Sequence, residues 1–285
     1  MERSDSDPDA PPDLFARRQI ADEVCPSVTG PYFYRVEKAG KVSHLLGTRH
    51  IGVPLAKFPP VVAERLDAAK LAVFETAPDD ELELPDPPIT VREALGPELW
   101  ARYEALTGTA IAGALERGSP AAALVMLTSL YEDISARLDG ELEDRAVARG
   151  IPTAGLEPSQ LQGELIAKHL GLRALRSVID HTADRAELER ETREDLAEYC
   201  AGTDDTPFDA DEREEMRASG YTEAEIAEFE EELVYARNAR WIPALEKLFA
   251  KGDVFVAVGA GHLPGERGVL ALLARRGYSI TRITR

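Results

Sequence analysis

Short apolar runs alternate with helical spacing along this chain, and that alternation predicts strands separated by helices. Residues 32–36 and 42–46 flank Lys38-Ala39-Gly40-Lys41, the pattern of a hairpin closed by a Gly-containing turn. Residues 59–69 have helical spacing and lead into a second strand, Leu71-Ala72-Val73-Phe74-Glu75. Residues 78–90 are acidic and Pro-rich and read as a loop. Thr90 with Glu93 is a capping-box pattern, and Ser119-Pro120 is a second helix start. The stretch 121–130 is apolar nearly all round, which predicts a buried helix. A helix over 140–149 leads to a weaker strand over 151–157, and Pro158 opens a helix to about residue 170. From 180 to 240 no strand is predicted. Glu, Asp and Arg dominate there, giving two or three long solvated helices with a break around 202–211. Another helix is predicted to start at 238–243 and run to 252. The last unit reads as βαβ: strand 254–258, helix 268–276 and strand 278–283.

The chain has 285 residues, room for one large domain or two small ones, and 44% hydrophobic residues support a real core. A formal net charge of -19 excludes nucleic acid as a natural partner, because phosphate binding needs a basic surface. Direct membrane insertion is not expected, since no run approaches the ~18–20 apolar residues of a span. The first residues are acidic and Pro-rich and lack the basic and apolar regions of a secretory signal. Residues 1–28 read as a disordered tail, or as the start left after removal of a leader. Cys25 and Cys200 allow one bridge in an oxidising compartment, with two buried free thiols at least as well supported.

The chemistry concentrates at strand ends. Gly47-Thr48-Arg49-His50 follows one apolar run and Gly259-Ala260-Gly261-His262 follows another, so two of only five histidines hold equivalent places. The C-terminal edge of an open α/β sheet is where ligands bind. Two further strands end on Glu75 and Glu157. Two imidazoles and two carboxylates are the ingredients of a divalent-metal site, and a spare carboxylate can act as general base. A shared metal requires His50 and His262 to lie within about 10 Å of each other. The glycines Gly47 and Gly259 suit a sharp exit from the strand, and Gly261 a close backbone approach. Each residue also has a plainer role. A His after a strand can serve a turn, Glu75 can answer a helix dipole or a surface Arg, and Glu157 precedes Pro158 in an N-cap-like place. Gln160, three residues after Glu157, shares its helical face and reaches the same ligand or else sits solvated. Arg237 follows an acidic run, where an exposed ion pair is the ordinary reading. His44 is structural, and His169 and His181 have no partner motif.

These residues carry a resemblance. Leu45-Leu46-Gly47-Thr48-Arg49-His50-Ile51-Gly52 resembles the first GxxH motif of the TraB/GumN family, which includes the Tiki proteases and pheromone-shutdown proteins. Phe74-Glu75, Leu138-Asp139, Ala146, Gly155-Leu156-Glu157 with Gln160, and Arg237-Asn238 match its other blocks. The run from Val258 through Gly259-Ala260-Gly261-His262 to Gly268 resembles its second GxxH block, and Leu272-Leu273 and Gly277-Tyr278 follow. The likeness spans about residues 30–285. It implies the fold of the erythromycin-esterase and ChaN-like superfamily, an α/β sheet with the site at strand ends. Taken with the strandless acidic stretch, which carries no family motif, the expected fold is α/β with a mostly parallel central sheet, the site at strand C-terminal ends and a large all-helical insertion. Residues 29–285 would form one domain, with the acidic insertion at about 180–240.

The resemblance further implies metal-dependent hydrolysis, with Mn or Co as the metal and Zn as a further option, acting on a peptide or small-molecule substrate. His50, Glu75 and His262 would bind the metal. Glu157 would be the general base, with the two glutamates interchangeable, and Gln160 would join the site. Arg237 and Asn238 would stabilise the oxyanion. Two other readings stand beside it: a metal-free esterase-type hydrolase in which a His activates water, and a non-enzymatic module that binds a peptide, a metal or a haem-like compound. A homo-oligomer is compatible with all three. Many relatives enter the secretory pathway, which suggests a periplasmic, secreted or membrane-anchored protein if a leader was removed, and a cytoplasmic one otherwise.

Overall fold

A computed structural model describes residues 11–80, 89–203 and 210–284. The chain is α/β, built on a six-stranded, mostly parallel sheet. Its strands are β1 (Phe33–Lys38), β2 (Lys41–Thr48), β3 (Leu71–Phe74), β4 (Thr153–Gly155), β5 (Val254–Gly259) and β6 (Ser279–Arg282). Their order across the sheet is β4-β3-β5-β2-β1-β6. The four strands from β4 to β2 are parallel neighbours, while β1 is antiparallel to both β2 and β6. β1 and β2 form the predicted hairpin. Its turn places Ala39 and Gly40 at positive φ (50° and 74°), a twist that matches that of the flanking strands. All six residues of β5 are buried, as expected for a strand covered on both faces.

The helix starts follow their caps. The Thr90 hydroxyl accepts from the Glu93 N–H and the Glu93 carboxylate accepts from the Thr90 N–H, so the capping box is complete. Ser119 caps Pro120–Thr128. That helix buries Ala121, Ala123, Leu124 and Leu127, but Val125 is exposed.

Other expectations are corrected. The segment read as a tail contains a helix, Leu14–Val24, capped by Asp13, with Ile20 and Ala21 buried; residues 1–10 lie outside the described residues. The helix docks because Cys25, directly after it, is bridged to Cys200. β6 runs in the direction of β5, yet it pairs with β1 on the far side of β2, so the last unit is a βαβ connection between strands that are not neighbours. The predicted loop at 78–90 and the break at 202–211 lie largely outside the described residues. Among the described residues of 180–240 there is no strand, but the helices are not merely solvated. The helix Arg185–Ala201 buries Leu188, Thr192, Leu196, Tyr199 and Cys200, a stripe at helical spacing turned to the core. No helix begins at 238. Helix Glu223–Glu230 passes through a π-helical segment, Glu231–Tyr235, directly into Ala236–Phe249. Pro243 lies inside that last helix, where packing of the buried face Arg237, Trp241, Leu245 and Phe249 outweighs one lost backbone hydrogen bond. Among the described residues, no helix is long and apolar enough to cross a membrane.

Two outcomes test this account. The bridge joins residues 175 apart in sequence, and closing so long a loop restricts the unfolded chain. The pair Cys25→Ser with Cys200→Ser should lose about 2–4 kcal/mol in urea unfolding; an unchanged midpoint would refute the bridge. His44 lies in β2, stacked on Phe33. Burial, helped by the Arg65 and Arg35 charges, lowers its pKa to about 4. The unfolded chain therefore binds the extra proton between roughly pH 4 and 6.5. The stability that His44 contributes is complete above that window and is lost as pH falls through it. His44→Phe should flatten the acid side of the stability profile; an equally steep loss in the variant would show that another group is responsible.

Candidate functional site

Four strand ends lie side by side in the sheet, and the residue types singled out in the sequence follow each of them. Glu75 is the first residue after β3, and Glu157 lies two residues after β4. The Glu157 N–H donates to the Glu75 carbonyl at 2.9 Å, so the two acidic residues are held together by main chain before any side chain acts. His262 ends a short turn, Ala260–His262, directly after β5, and His50 stands just past β2.

The buried centre is Arg237. Its Nε donates to Glu157 Oε1 at 2.7 Å, and its Nη2 donates to Glu75 Oε2 and lies 2.6 Å from Glu157 Oε1. Its Nη1 donates to the Leu233 carbonyl at 2.9 Å and to His262 Nε2 at 3.1 Å. Every N–H of the guanidinium is thereby used. Glu157 Oε2 accepts from Trp241 Nε1 at 3.1 Å, and Gln162 Nε2 donates to Glu75 Oε2 at 2.8 Å. Glu75 Oε1 accepts the Gly259 N–H at 2.7 Å. Leu233 belongs to the π-helical segment. The widened turn and the side chain of Arg237 meet at its carbonyl, a common association of π-bulges with functional sites.

Asn238, fully buried, fixes His262. Its Nδ2 donates to the carbonyls of His262 and Arg267, so its Oδ1 faces His262 Nδ1 as an acceptor at 2.7 Å. His262 therefore carries its proton on Nδ1 and offers its Nε2 lone pair to Arg237. The ring packs on Trp241 with centroids 4.5 Å apart. Burial lowers its pKa to about 4, and Arg237 adds to the effect, so it is neutral at pH 7. For Glu75, burial acts upward but is outweighed by the His262 ring, the Arg237 and His50 charges and the Gly259 N–H, which bring it down to about 2.

His50 has the opposite surroundings. Its side chain is 67% exposed, and its Nδ1 meets Asp139 Oδ2 at 2.7 Å. That hydrogen bond raises its pKa above the ordinary value. Thr48 Oγ1 donates to Asp139 Oδ1 at 2.7 Å and orients the carboxylate. Glycine at 259 lets these groups converge. A methyl there would sit 3.2 Å from Glu75 Oε1, 3.6 Å from the His262 ring and 3.6 Å from His50 Nε2. One point beside the backbone is thus within reach of both histidines and one glutamate. Gly47 likewise admits close packing, since a Cβ would meet Leu263 and Tyr32 below 3 Å. Gly261, read as the close-approach glycine, has open space around it.

The histidines open onto a cleft of about 420 Å³. Arg49, His50 and residues 259–262 line it together with Asp195, Glu198, Tyr199 and Val234. The acidic helical region therefore supplies a wall of the cleft. Of the predicted residues, His50, Glu75, Glu157, Arg237, Asn238 and His262 come together. Gln160 does not: it is exposed and bonds Glu164 at 3.0 Å. The helix begins at Ser159, after Pro158, so Glu157 and Gln160 share no helical face. Gln162 reaches Glu75 instead. Trp241 and Tyr199 were missed, and Asp139, although it stands in the Leu138-Asp139 block that resembles the family, was given no role. Trp241 stands four residues after Arg237, a spacing that could have found it, whereas Tyr199 arrives from a distant helix with no local signal.

The donor set does not fit a divalent metal in this arrangement. Among the described residues, no three His, Cys, Asp or Glu side chains are grouped so as to hold one. The atoms a metal would need are engaged: His262 Nε2 by Arg237, Glu75 Oε1 by Gly259, and Glu75 Oε2 by Arg237 and Gln162. The Arg237 guanidinium supplies the positive charge that the two buried carboxylates require. Removing it leaves two buried carboxylates facing each other, so Arg237→Met should destabilise the fold by about 3–5 kcal/mol in urea unfolding. A loss below about 1 kcal/mol, the worth of an exposed pair, would contradict this central role.

Comparison with curated proteins and with solved structures gives no match. The profile of the TraB/PrgY/gumN family matches residues 32–282. The match runs from the first hairpin to the last strand and includes every residue of the cluster, and the chain belongs to the TraB/PrgY/gumN family.

Proposed function

We propose that this chain is a hydrolase of peptide or small ester substrates in which His50 activates water without a metal. The carrying observation is the state of His50. It alone among the clustered groups faces the cleft with a nitrogen open, while Asp139 holds its other nitrogen. A base oriented by a carboxylate and aimed at open space is the arrangement that proton transfer to and from a reacting group requires. The neutral imidazole takes a proton from water as the oxygen attacks the acyl carbon. The imidazolium then returns that proton to the departing amine or alkoxide. His262 stays neutral and forms the wall beside the reacting atoms. Arg237 and Asn238, with no N–H to spare, act as positioning groups for His262, Glu75 and Glu157 rather than as oxyanion donors.

A second reading keeps a divalent metal, Mn or Co with Zn as a further option, at the convergence point beside Gly259. What favours it is that His50 Nε2, the His262 ring and Glu75 Oε1 all border that point. It requires Arg237 to release His262, and no step is derived through it. The buried Cys25–Cys200 bridge supports residence in an oxidising compartment.

The test is hydrolysis of a mixed peptide library and of p-nitrophenyl esters, before and after exhaustive chelation. Activity should survive chelation. The Asp139 hydrogen bond raises the His50 pKa to about 9, and the base is its deprotonated form, so the rate should rise with pH up to about 9. Asp139→Asn should lower the rate and move the midpoint down toward about 6.5. His50→Ala should cost on the order of 100-fold or more. Loss of activity on chelation with recovery in Mn(II), Co(II) or Zn(II) would overturn the metal-free reading in favour of the second. A bound ligand with no turnover would favour a binding module.

A further inference from the structure

Beyond Thr48 the chain leaves the sheet, because the last residue of β2 paired with β5 is Thr48, opposite Gly259. The backbone on either side of that exit is held by one side chain from a distant helix. The Tyr199 hydroxyl donates to the Gly47 carbonyl at 2.9 Å and accepts from the Arg49 N–H at 3.1 Å. The carbonyl of Gly47 is buried, so losing the hydroxyl there removes a buried hydrogen bond, a costly change. The phenol is buried and its pKa is pushed up by that burial, so it keeps the proton it donates.

Tyr199 is itself held firmly. Its ring packs on Tyr32 and Phe58, with centroids 5.7 and 6.4 Å away. The next residue, Cys200, is bridged to Cys25, and its carbonyl accepts the N–H groups of Thr29 and Gly30. The tie continues on the other side of the exit. Thr48 bonds the same Asp139 that holds His50, so the run from Gly47 to His50 is pinned by Tyr199 and by Asp139. The bridged Cys200 is thus next in the chain to the residue that holds this exit.

We propose that Tyr199 is a positioning residue for His50: its hydroxyl fixes the backbone from Gly47 to Arg49 so that the imidazole reaches the cleft with Asp139 behind it. The proposal rests on the reading of His50 as the water-activating group and extends it to a residue of the helical region. Tyr199 touches no reacting atom; it acts through the peptide bonds next to its target.

Tyr199→Phe removes both hydrogen bonds and keeps the ring contacts. In the full-length protein with its bridge intact, the Arg49 amide should exchange about 10-fold faster or more, and the downfield signal of the His50 Nδ1–H held by Asp139 should broaden or vanish. Hydrolysis should lose about 10-fold or more in kcat with KM within about 2-fold, since displacement of a catalytic group by a fraction of an ångström costs rate rather than affinity. Leu188→Ala, on the same helix but away from the exit, controls for general loosening and should leave the Arg49 amide and the His50 signal as they were. An unchanged Arg49 amide or His50 signal in Tyr199→Phe would overturn the proposal, as would an equal effect of Leu188→Ala. If the unaltered protein hydrolyses nothing, the functional reading fails on that result, and the His50 signal alone decides whether Tyr199 positions the ring.

Discussion

The buried guanidinium of Arg237 is the constraint on which the rest of the site depends. A charge removed from water is costly unless its partners are close and fully bonded. Here two carboxylates, one imidazole and one carbonyl take all its N–H groups. Those partners come from the ends of β3, β4 and β5 and from the preceding helical turn. The charge can be buried only if all of them arrive together, so the geometry of the strand ends and the placement of helix Ala236–Phe249 are one requirement. The same requirement accounts for Trp241 and Gln162, which satisfy the carboxylate oxygens that Arg237 leaves partly free.

Two copies of one short motif end in opposite electrostatic states because of that centre. His262 sits inside it, beside a cation and against Trp241, and is held neutral. His50 sits outside it, exposed, with a carboxylate on one nitrogen, and favours its proton. The chain thus places two imidazoles with well separated affinities next to one point beside Gly259.

Much of this was legible in the sequence. The paired Gly-x-x-His motifs, each after a buried run, marked strand exits, and Glu75 and Glu157 marked two more. Those four residues, with Arg237 and Asn238, do converge. The legible part is local, since strand runs, capping boxes and strand-stopping glycines are set by neighbours a few residues away. Gln160 was misplaced because its relation to Glu157 was taken as helical, while Pro158 starts the helix one residue too late for that. The acidic helices read as solvated because their charged residues outnumber the buried stripe of Leu188, Leu196 and Tyr199. The N-terminal segment read as a tail because its docking is secured by a bridge to a residue 175 positions away.

The sequence by itself determined which residue types stand at the ends of which strands, and hence the polar inventory of the site, because strand periodicity and turn chemistry are short-range. Only the tertiary structure decided what those groups are bonded to. Whether a carboxylate meets a guanidinium or an open cleft, and whether an imidazole is backed by Asn238 or Asp139, depends on helices that pack across the sheet from far along the chain. Hydrogen bonds and desolvation act over a few ångströms in space, without regard to distance in sequence. Which of these groups favours its proton therefore follows from packing and not from sequence neighbours.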